Sequence, residues 1–241
     1  MHRFLLPPEA WLVHPALTGD EARHLSHVLR AKPGDRITVF DGCGRRAEAE
    51  VLTVARDLVS LKLGESYSPP QPMPKITLAQ AIPKGKNMDF IVQKSVELGV
   101  ANIQPLVTHH TIVQPGDGKS GKLRRTALEA CKQCGQDTLP IIADPMTFRV
   151  WLTSQPSTPG IKLIASLAPG ARPIREVLRA HPASAAATLI IGPEGDFTSD
   201  ETAAALAAGF LPVSLGDIIL RVETATLYCL SALRYEFSSI P

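Results

Sequence analysis

Thr188-Leu-Ile-Ile-Gly-Pro-Glu-Gly-Asp-Phe-Thr-Ser-Asp-Glu201 is the stretch that decides the fold class. Thr188–Ile191 is a short apolar run of the type buried in the middle of a sheet. Gly192-Pro-Glu-Gly195 turns the chain. Thr198-Ser-Asp-Glu201 has the spacing of a capping box, and the alanine-rich helix it opens ends at Gly209. Strand, glycine turn and helix in succession form the unit from which parallel α/β sheets are wound.

The same rhythm runs through most of the chain. Strands are predicted at 75–79, 102–107, 161–165 and 212–215, and helices at 87–98, 122–134, 174–180 and 223–237. The helix at 87–98 places Met88, Ile91, Val92 and Val96 on one face, and the last helix turns Leu227, Leu230 and Leu233 inward. The first seventy residues read differently. Thr18-Gly-Asp-Glu21 is a second capping-box pattern, opening a short helix over roughly 19–30. Arg36–Phe40, Ala47–Val51 and Leu58–Leu63 then alternate polar and apolar residues like half-buried antiparallel strands, separated by Pro33-Gly34-Asp35 and Asp41-Gly42. A small β-barrel or sandwich fits. Four prolines in residues 64–74 disfavour both helix and ladder, which sets the boundary between domains 1–70 and 71–241.

The 241 residues carry 44% hydrophobic and 20% charged side chains, an ordinary globular balance. A net charge of +2 means that any affinity for nucleic acid comes from local patches. Transmembrane helix and signal peptide are both unexpected, since no run of 18 apolar residues occurs and the N-terminus lacks an apolar core with a cleavage site. Cys43, Cys131, Cys134 and Cys229 are irregularly spaced, as expected for reduced thiols in a cytoplasm.

Several motifs do not carry chemistry. Asp117-Gly-Lys-Ser120 lacks the upstream glycine of a phosphate-binding loop, because Val113 occupies that position. Cys131-Lys-Gln-Cys134 has no second pair for zinc and lies inside a helix rather than at its start, so its thiols are expected to be small apolar side chains. His109-His110 has no companion ligands, and no metal is expected.

Three segments at predicted strand ends remain: Ser166-Leu-Ala-Pro-Gly170, Gly192–Gly195 and Leu215-Gly-Asp-Ile-Ile-Leu-Arg-Val-Glu-Thr224. Ligands of open α/β sheets bind beyond the carboxyl ends of strands. Glycines there let backbone approach a ligand, and Glu194 between two of them is displayed. IGPEGDFTSDE (191–201) followed by LGDIILRVETA (215–225) resembles the signature of the RsmE family of SPOUT RNA methyltransferases. QKSVELGV (93–100), EACKQCG (129–135), HLSHVLRAKPGD (24–35), FDG (40–42) and the opening Met1-His-Arg-Phe4 extend the resemblance nearly end to end.

That resemblance implies a PUA-like N-terminal β-barrel and a C-terminal SPOUT domain tied in a deep trefoil knot. It implies a homodimer with RNA bound across both subunits, and methylation of N3 of a uridine in 16S ribosomal RNA. S-adenosylmethionine would be held by the three loops. Leu215, Gly216, Ile218 and Leu220 would take the adenine, Ile191, Gly192, Pro193, Glu194 and Gly195 the ribose and methionine side, and Leu167 would complete the pocket. This chain departs from the pattern at Val222, where threonine is expected, at Gln136, where arginine commonly follows, and at Asp196, where a second glycine is common. The nearest alternatives are a SPOUT ribose 2′-O-methyltransferase, which would lack the barrel with HLSHVLR, and a non-catalytic RNA-binding assembly factor.

Uridine N3 carries a proton and lies on the pairing edge, so the base must be unpaired and must lose that proton to react. Arg221 is the candidate to stabilise the resulting anion, and Glu223 to position it or accept the proton. Candidates for RNA contact are Arg3, Arg23 and Arg30 in the first domain and Lys122, Arg124 and Arg125 in the second. The latter belong to a run in which Lys119, Lys122, Arg124, Arg125 and Lys132 face one acid, Glu129. Aromatic residues are only 5% of the chain, which favours recognition of folded RNA shape over extensive base stacking.

Overall fold

The computed structural model describes residues 2–12, 14–70, 74–112, 119–155, 160–168, 170–181 and 184–237. The chain forms two compact units. One comprises Met1–Gln71 with Leu128–Leu139, and the other Pro72–Ala127 with Pro140–Pro241.

In the first unit, β1 (Arg3–Leu5), a 3₁₀ turn (Pro8–Trp11) and β2 (Ala16–Thr18) precede α1 (Gly19–Arg23), which runs into a π-helical turn (His24–Val28). Then follow β3 (Arg36–Phe40), β4 (Arg46–Val54) and β5 (Leu58–Tyr67). The strands form a half-barrel in the order β1-β3-β4-β5-β2. Among the described residues of this sheet only β1 and β3 pair in parallel, and β4 and β5 slip register at two places, which bends the sheet. Alternation along β3 and β4 sends Ile37, Val39, Ala47, Ala49 and Val51 into a core with Phe4, Leu17 and Leu25.

The capping box expected at Thr18–Glu21 does not form, as Thr18 makes no side-chain cap. The Glu21 carboxylate is drawn away. It accepts from the Leu5 backbone N–H at 3.0 Å and from Lys132 Nζ at 2.5 Å. Burial opposes the charge on Lys132, yet the hydrogen bonds to Glu21 and Glu129 outweigh it and hold its pKa above the usual lysine value.

The second unit contains β6 (Lys75–Ala81), α2 (Asn87–Glu97), β7 (Asn102–Val107), the first turns of α3 (Lys119–Cys134), β8 (Ile141–Ile142), β9 (Met146–Thr147), α4 (Phe148–Ser154), β10 (Ile161–Ala165), β11 (Arg172–Pro173), α5 (Ile174–Arg179), β12 (Ala186–Ile191), α6 (Ser199–Ala207), β13 (Leu211–Ser214) and α7 (Val222–Phe237). Its sheet is wholly parallel, in the order β11-β13-β10-β12-β6-β7-β8, with β9 also on β7. Helices α4 and α6 close over Ala79, Leu106, Ile164 and Ile190, with Phe148, Trp151, Phe197 and Phe210 filling the layer. Helices α2, α5 and α7 pack together, with α7 against β12. Here the capping box at Thr198 does form. Its Oγ1 accepts from the Glu201 N–H at 3.2 Å, and Glu201 Oε2 accepts from the Thr198 N–H at 3.0 Å.

The buried face of α7 is Val222, Thr226, Cys229, Leu230 and Leu233. Leu227, expected inward, is half-buried instead. The i, i+4 spacing of Val222, Thr226 and Leu230 sets the seam, and the Thr226 hydroxyl is admitted because it donates to the buried Gln80 Oε1 at 2.7 Å. Among the described residues no helix is long and apolar enough to cross a membrane, and no group of three or more His, Cys, Asp or Glu could hold a metal ion.

Candidate functional site

Three loops leave the carboxyl ends of neighbouring strands. One follows β10 from Ser166, the second follows β12 from Gly192, and the third follows β13 from Leu215. Strand β10 lies between β12 and β13, so the chain leaves β12 and returns across β10 to form β13. This reversal is a topological switch point, where loops diverge and leave a crevice. The crevice is a cavity of about 460 Å³. Leu167, Ile191, Gly192, Pro193, Glu194, Leu215, Gly216, Ile218 and Leu220 line it, and so do Arg221 and Glu223.

Gly195 is placed elsewhere. A Cβ there would lie 3.1 Å from His110 Cβ, so this glycine lets the turn press on the segment after β7 rather than on the cavity. Gly192 and Gly216 act on the cavity by different means. A methyl at Gly192 would meet Phe197 Cε2 at 3.0 Å and Asp196 Oδ1 at 3.2 Å, while Gly216 has φ +114° with open space beside it. Alanine at Gly192 crowds its neighbours, and at Gly216 it takes a backbone conformation costing roughly 1–3 kcal/mol. Both variants should bind S-adenosylhomocysteine at least about fivefold more weakly while remaining folded. Unchanged titration calorimetry for both would remove these loops from the binding site.

Arg221 does not owe its position to burial of the apolar residues before it. Ile218 and Ile219 are each 77% exposed. Its backbone is fixed by the next turn instead: the Arg221 carbonyl accepts from the Ala225 N–H at 2.8 Å, and Val222 is buried. The guanidinium is exposed and has no ion-pair partner among the described residues. Glu223 Oε2 accepts from Asn87 Nδ2 at 3.2 Å, and Glu194 Oε1 accepts from the Lys84 N–H at 2.9 Å.

Among the lining residues, sequence reasoning missed Asn87 and gave Ser166, Asp196 and Ile219 no individual role in binding. Asn87 opens α2 just past the end of β6, which pairs with β12. The strand-end rule would have found it had the strand order been known. Asp196 has φ +55°, a left-handed conformation that glycine adopts without cost. Aspartate tolerates it better than most side chains. Its Oδ2 accepts from the Leu167 N–H at 3.4 Å, and its carbonyl is 2.9 Å from His110 Nδ1. Asp196 thus ties the loop after β12 to the loop after β10.

The candidate RNA-contact residues are less uniform. Arg3 is committed elsewhere: its side chain is 14% exposed, it pairs with Asp137 and it donates to the Gln136 carbonyl at 3.2 Å. It is a buried structural cation rather than a displayed one. Arg23 pairs with Asp20 at 3.3 Å and Asp57 at 3.5 Å on the surface, and Arg30 is exposed with φ +55°. Lys122 pairs with Asp89, and Arg124 with Asp144 at 3.0 Å. Arg125 is exposed and without an ion-pair partner among the described residues. Lys132, at 10% exposure, is spent on Glu21 and Glu129. The Lys119 side chain and Val113, Asp117, Gly118 and Pro169 lie outside the described residues. Burial, then the neighbouring Cys134, pushes the Cys131 thiol up to about 12, consistent with an inert CxxC.

Residues 69–234 match the RNA methyltransferase domain family, and residues 17–64 match the RNA methyltransferase PUA domain family. A Synechocystis protein named ribosomal RNA small subunit methyltransferase E is 32% identical over 231 residues, 95% of this chain and 76% of that protein. A Legionella pneumophila structure solved with the cofactor SAM has a TM-score of 0.88 and 31% identity, covering 100% of this chain and 99% of that one. A ribosomal RNA small subunit methyltransferase E from Neisseria gonorrhoeae, solved with S-adenosyl methionine, has a TM-score of 0.88 and 32% identity, covering 98% of each chain. With both of its units matched and its relatives covered over most of their length, the chain belongs to the RNA methyltransferase family that includes the small-subunit methyltransferase E proteins.

Proposed function

We propose that this protein methylates N3 of a uridine in small-subunit (16S) ribosomal RNA, with S-adenosylmethionine as methyl donor. The observation that carries this is the convergence of three strand-end loops on one cavity that also receives Arg221 and Glu223. The walls suit the donor. Leu167, Ile218 and Leu220 offer apolar surface for an adenine, Gly192 and Gly216 bare the backbone, and Glu194 and Asp196 offer carboxylates to hydroxyl and cationic groups. When bound, S-adenosylmethionine supplies an electrophilic methyl on a sulfonium. The protein's part is to hold the acceptor in line, exclude water and stabilise the base as an anion. Arg221 is the cation for that anion. Glu223, held through Asn87, positions the base or receives the proton. Incubation of purified protein with 30S subunits or 16S rRNA and labelled donor, followed by mapping of the modified nucleoside, tests the assignment. Absence of 3-methyluridine would overturn it.

Residues 1–70 are the proposed PUA-like RNA-binding domain and 71–241 the SPOUT domain. The crossover from β12 over β10 to β13 supports a knotted path for the latter. RNA phosphates would meet Arg23, Arg30, Lys122, Arg124 and Arg125. Reversing Arg124 and Arg125 to glutamate should weaken rRNA binding and lower the slope of log K against log salt by about 2, with cofactor affinity intact. An unchanged slope would mark these as merely solvated side chains.

The homodimer is proposed to form through α2 and α7. Phe90, Tyr228 and Tyr235 are exposed there, flanking half-buried Leu227. Leu230 is fully buried within the chain and takes no part. Light scattering at micromolar concentration should give twice the chain mass, and a monomer would exclude this face as a stable interface. A ribosomal RNA substrate supports a cytoplasmic location.

A further inference from the structure

Asp196 is a lining residue whose backbone lies in the left-handed region, and its geometry shows what its side chain adds. Its φ of +55° is a conformation that glycine adopts without cost. Keeping a side chain there is unfavourable for the loop unless the carboxylate contributes something. Part of that contribution is the hydrogen bond from the Leu167 N–H to Oδ2, long at 3.4 Å. The other oxygen, Oδ1, lies 3.2 Å from where a Cβ on Gly192 would stand, and both residues line the cavity.

The charge of the cavity gives this position meaning. Three carboxylates line it, those of Glu194, Asp196 and Glu223, against one cation, Arg221. Glu194 accepts from the Lys84 N–H and Glu223 from Asn87, while among the described residues the Asp196 carboxylate has that long bond from Leu167 alone. Methyl transfer converts the sulfonium of S-adenosylmethionine, whose net charge is +1, into the neutral thioether of S-adenosylhomocysteine, whose net charge is zero. Donor and product are otherwise nearly the same shape, so apolar walls and bare backbone hold both about equally. A negative carboxylate tells them apart by Coulomb attraction, which a partly water-excluded cavity screens less than bulk water does.

We propose that Asp196 is a specificity-determining residue of the cofactor pocket, whose carboxylate favours the cationic methyl donor over the neutral product. This rests on the methyltransferase assignment above, and it adds a consequence for turnover: product leaves more readily than the donor that replaces it.

The test is titration calorimetry of the full-length protein, without RNA, against S-adenosylmethionine, S-adenosylhomocysteine and sinefungin, a cationic analogue with no sulfur. Asp196→Asn keeps the side-chain shape, an oxygen for the Leu167 N–H and the tolerance for positive φ, so it removes the charge alone. The variant should bind S-adenosylmethionine and sinefungin about fivefold more weakly and S-adenosylhomocysteine within about twofold of the parent. Raising salt should shrink the parent's preference for the cations and leave the variant's nearly flat. Equal losses for all three ligands, or no loss, would overturn the proposal and leave Asp196 as a loop tie. Asp196→Gly separates these roles further. It should lose the cation preference even where it retains affinity for the product, and a retained preference would likewise overturn the proposal. Failure of the parent itself to bind any of the three would instead refute the methyltransferase assignment.

Discussion

Replacing Arg221 with alanine should slow methyl transfer on the order of 100- to 1,000-fold, the usual cost of losing one preorganised donor at a developing negative charge. The guanidinium enters the cavity from the residue before α7, with its backbone held by the first helical turn and no carboxylate engaging it among the described residues. It is therefore available to an acceptor whose N3 has lost a proton and whose two carbonyl oxygens share the charge. Neutral uridine offers it much less. Stabilising the transition state more than the ground state is the condition for raising the chemical rate rather than only tightening binding. The variant should bind S-adenosylhomocysteine nearly as the parent does and rRNA with modest loss. Arg221→Lys should recover little, since an ammonium lacks the planar fork. The alanine variant should also regain part of its rate as pH rises and more of the base ionises unaided. Single-turnover methylation across pH with saturating RNA provides the check, and a near-normal rate at neutral pH would exclude this role for Arg221.

Asp137→Ala should destabilise the first unit by about 3 kcal/mol or more, the typical cost of deleting one partner of a buried ion pair. Asp137 is 4% exposed in its side chain and receives two guanidiniums, Arg3 through Oδ1 and Arg46 through Oδ2 at 3.3 Å. Arg3 cannot relax into water, because its own side chain is 14% exposed and its guanidinium lies 5.1 Å from the centre of the Phe40 ring. Its Nε is already a buried donor without a hydrogen-bond partner among the described residues. Removing the carboxylate strands a charge as well as a donor. Arg46 suffers less, being 41% exposed and resting over Tyr67. Urea denaturation should show a lower midpoint for Asp137→Ala. A double variant with Arg3→Met should recover much of the loss, because apolar replacement of a whole buried pair is often neutral. A loss under about 1 kcal/mol for Asp137→Ala would show that the pair is effectively solvated.

Much of the candidate cofactor pocket is legible in the amino-acid sequence, and the reason is local. The glycines of 192–195 and 216, and the strand-end placement of all three loops, follow from turn chemistry and hydrophobic period. Ile218 and Ile219 show the limit of pattern. A run of three apolar residues is the pattern of a core, yet these two stand at 77% exposure on the cavity rim. Hydrophobicity marks a surface that avoids water without saying whether protein or ligand covers it. Short elements also escape. Strands of two or three residues such as β1, β8, β9 and β11 are too brief to show a period, and they exist because a neighbouring strand offers its edge.

The sequence by itself determined the elements whose stability is local or periodic. These are the long helices α2, α3 and α7, the strands of the parallel sheet's centre, the capping box at Thr198 and the glycine turns after β12 and β13. The tertiary structure alone decided which distant charges meet. Glu21 has the spacing to cap α1, but it turns to the Leu5 N–H and Lys132, where it satisfies a partly buried donor and a partly buried cation. Arg3 looks like an N-terminal RNA contact, but Asp137, 134 residues away, takes its charge out of water. Asn87 looks like an ordinary helix start, but the pairing of β6 with β12 sets it against Glu223 at the cavity. Local propensity is settled within a turn or two of the chain, whereas an ionised side chain goes wherever folding leaves an opposite charge or an unpaired donor with least access to water.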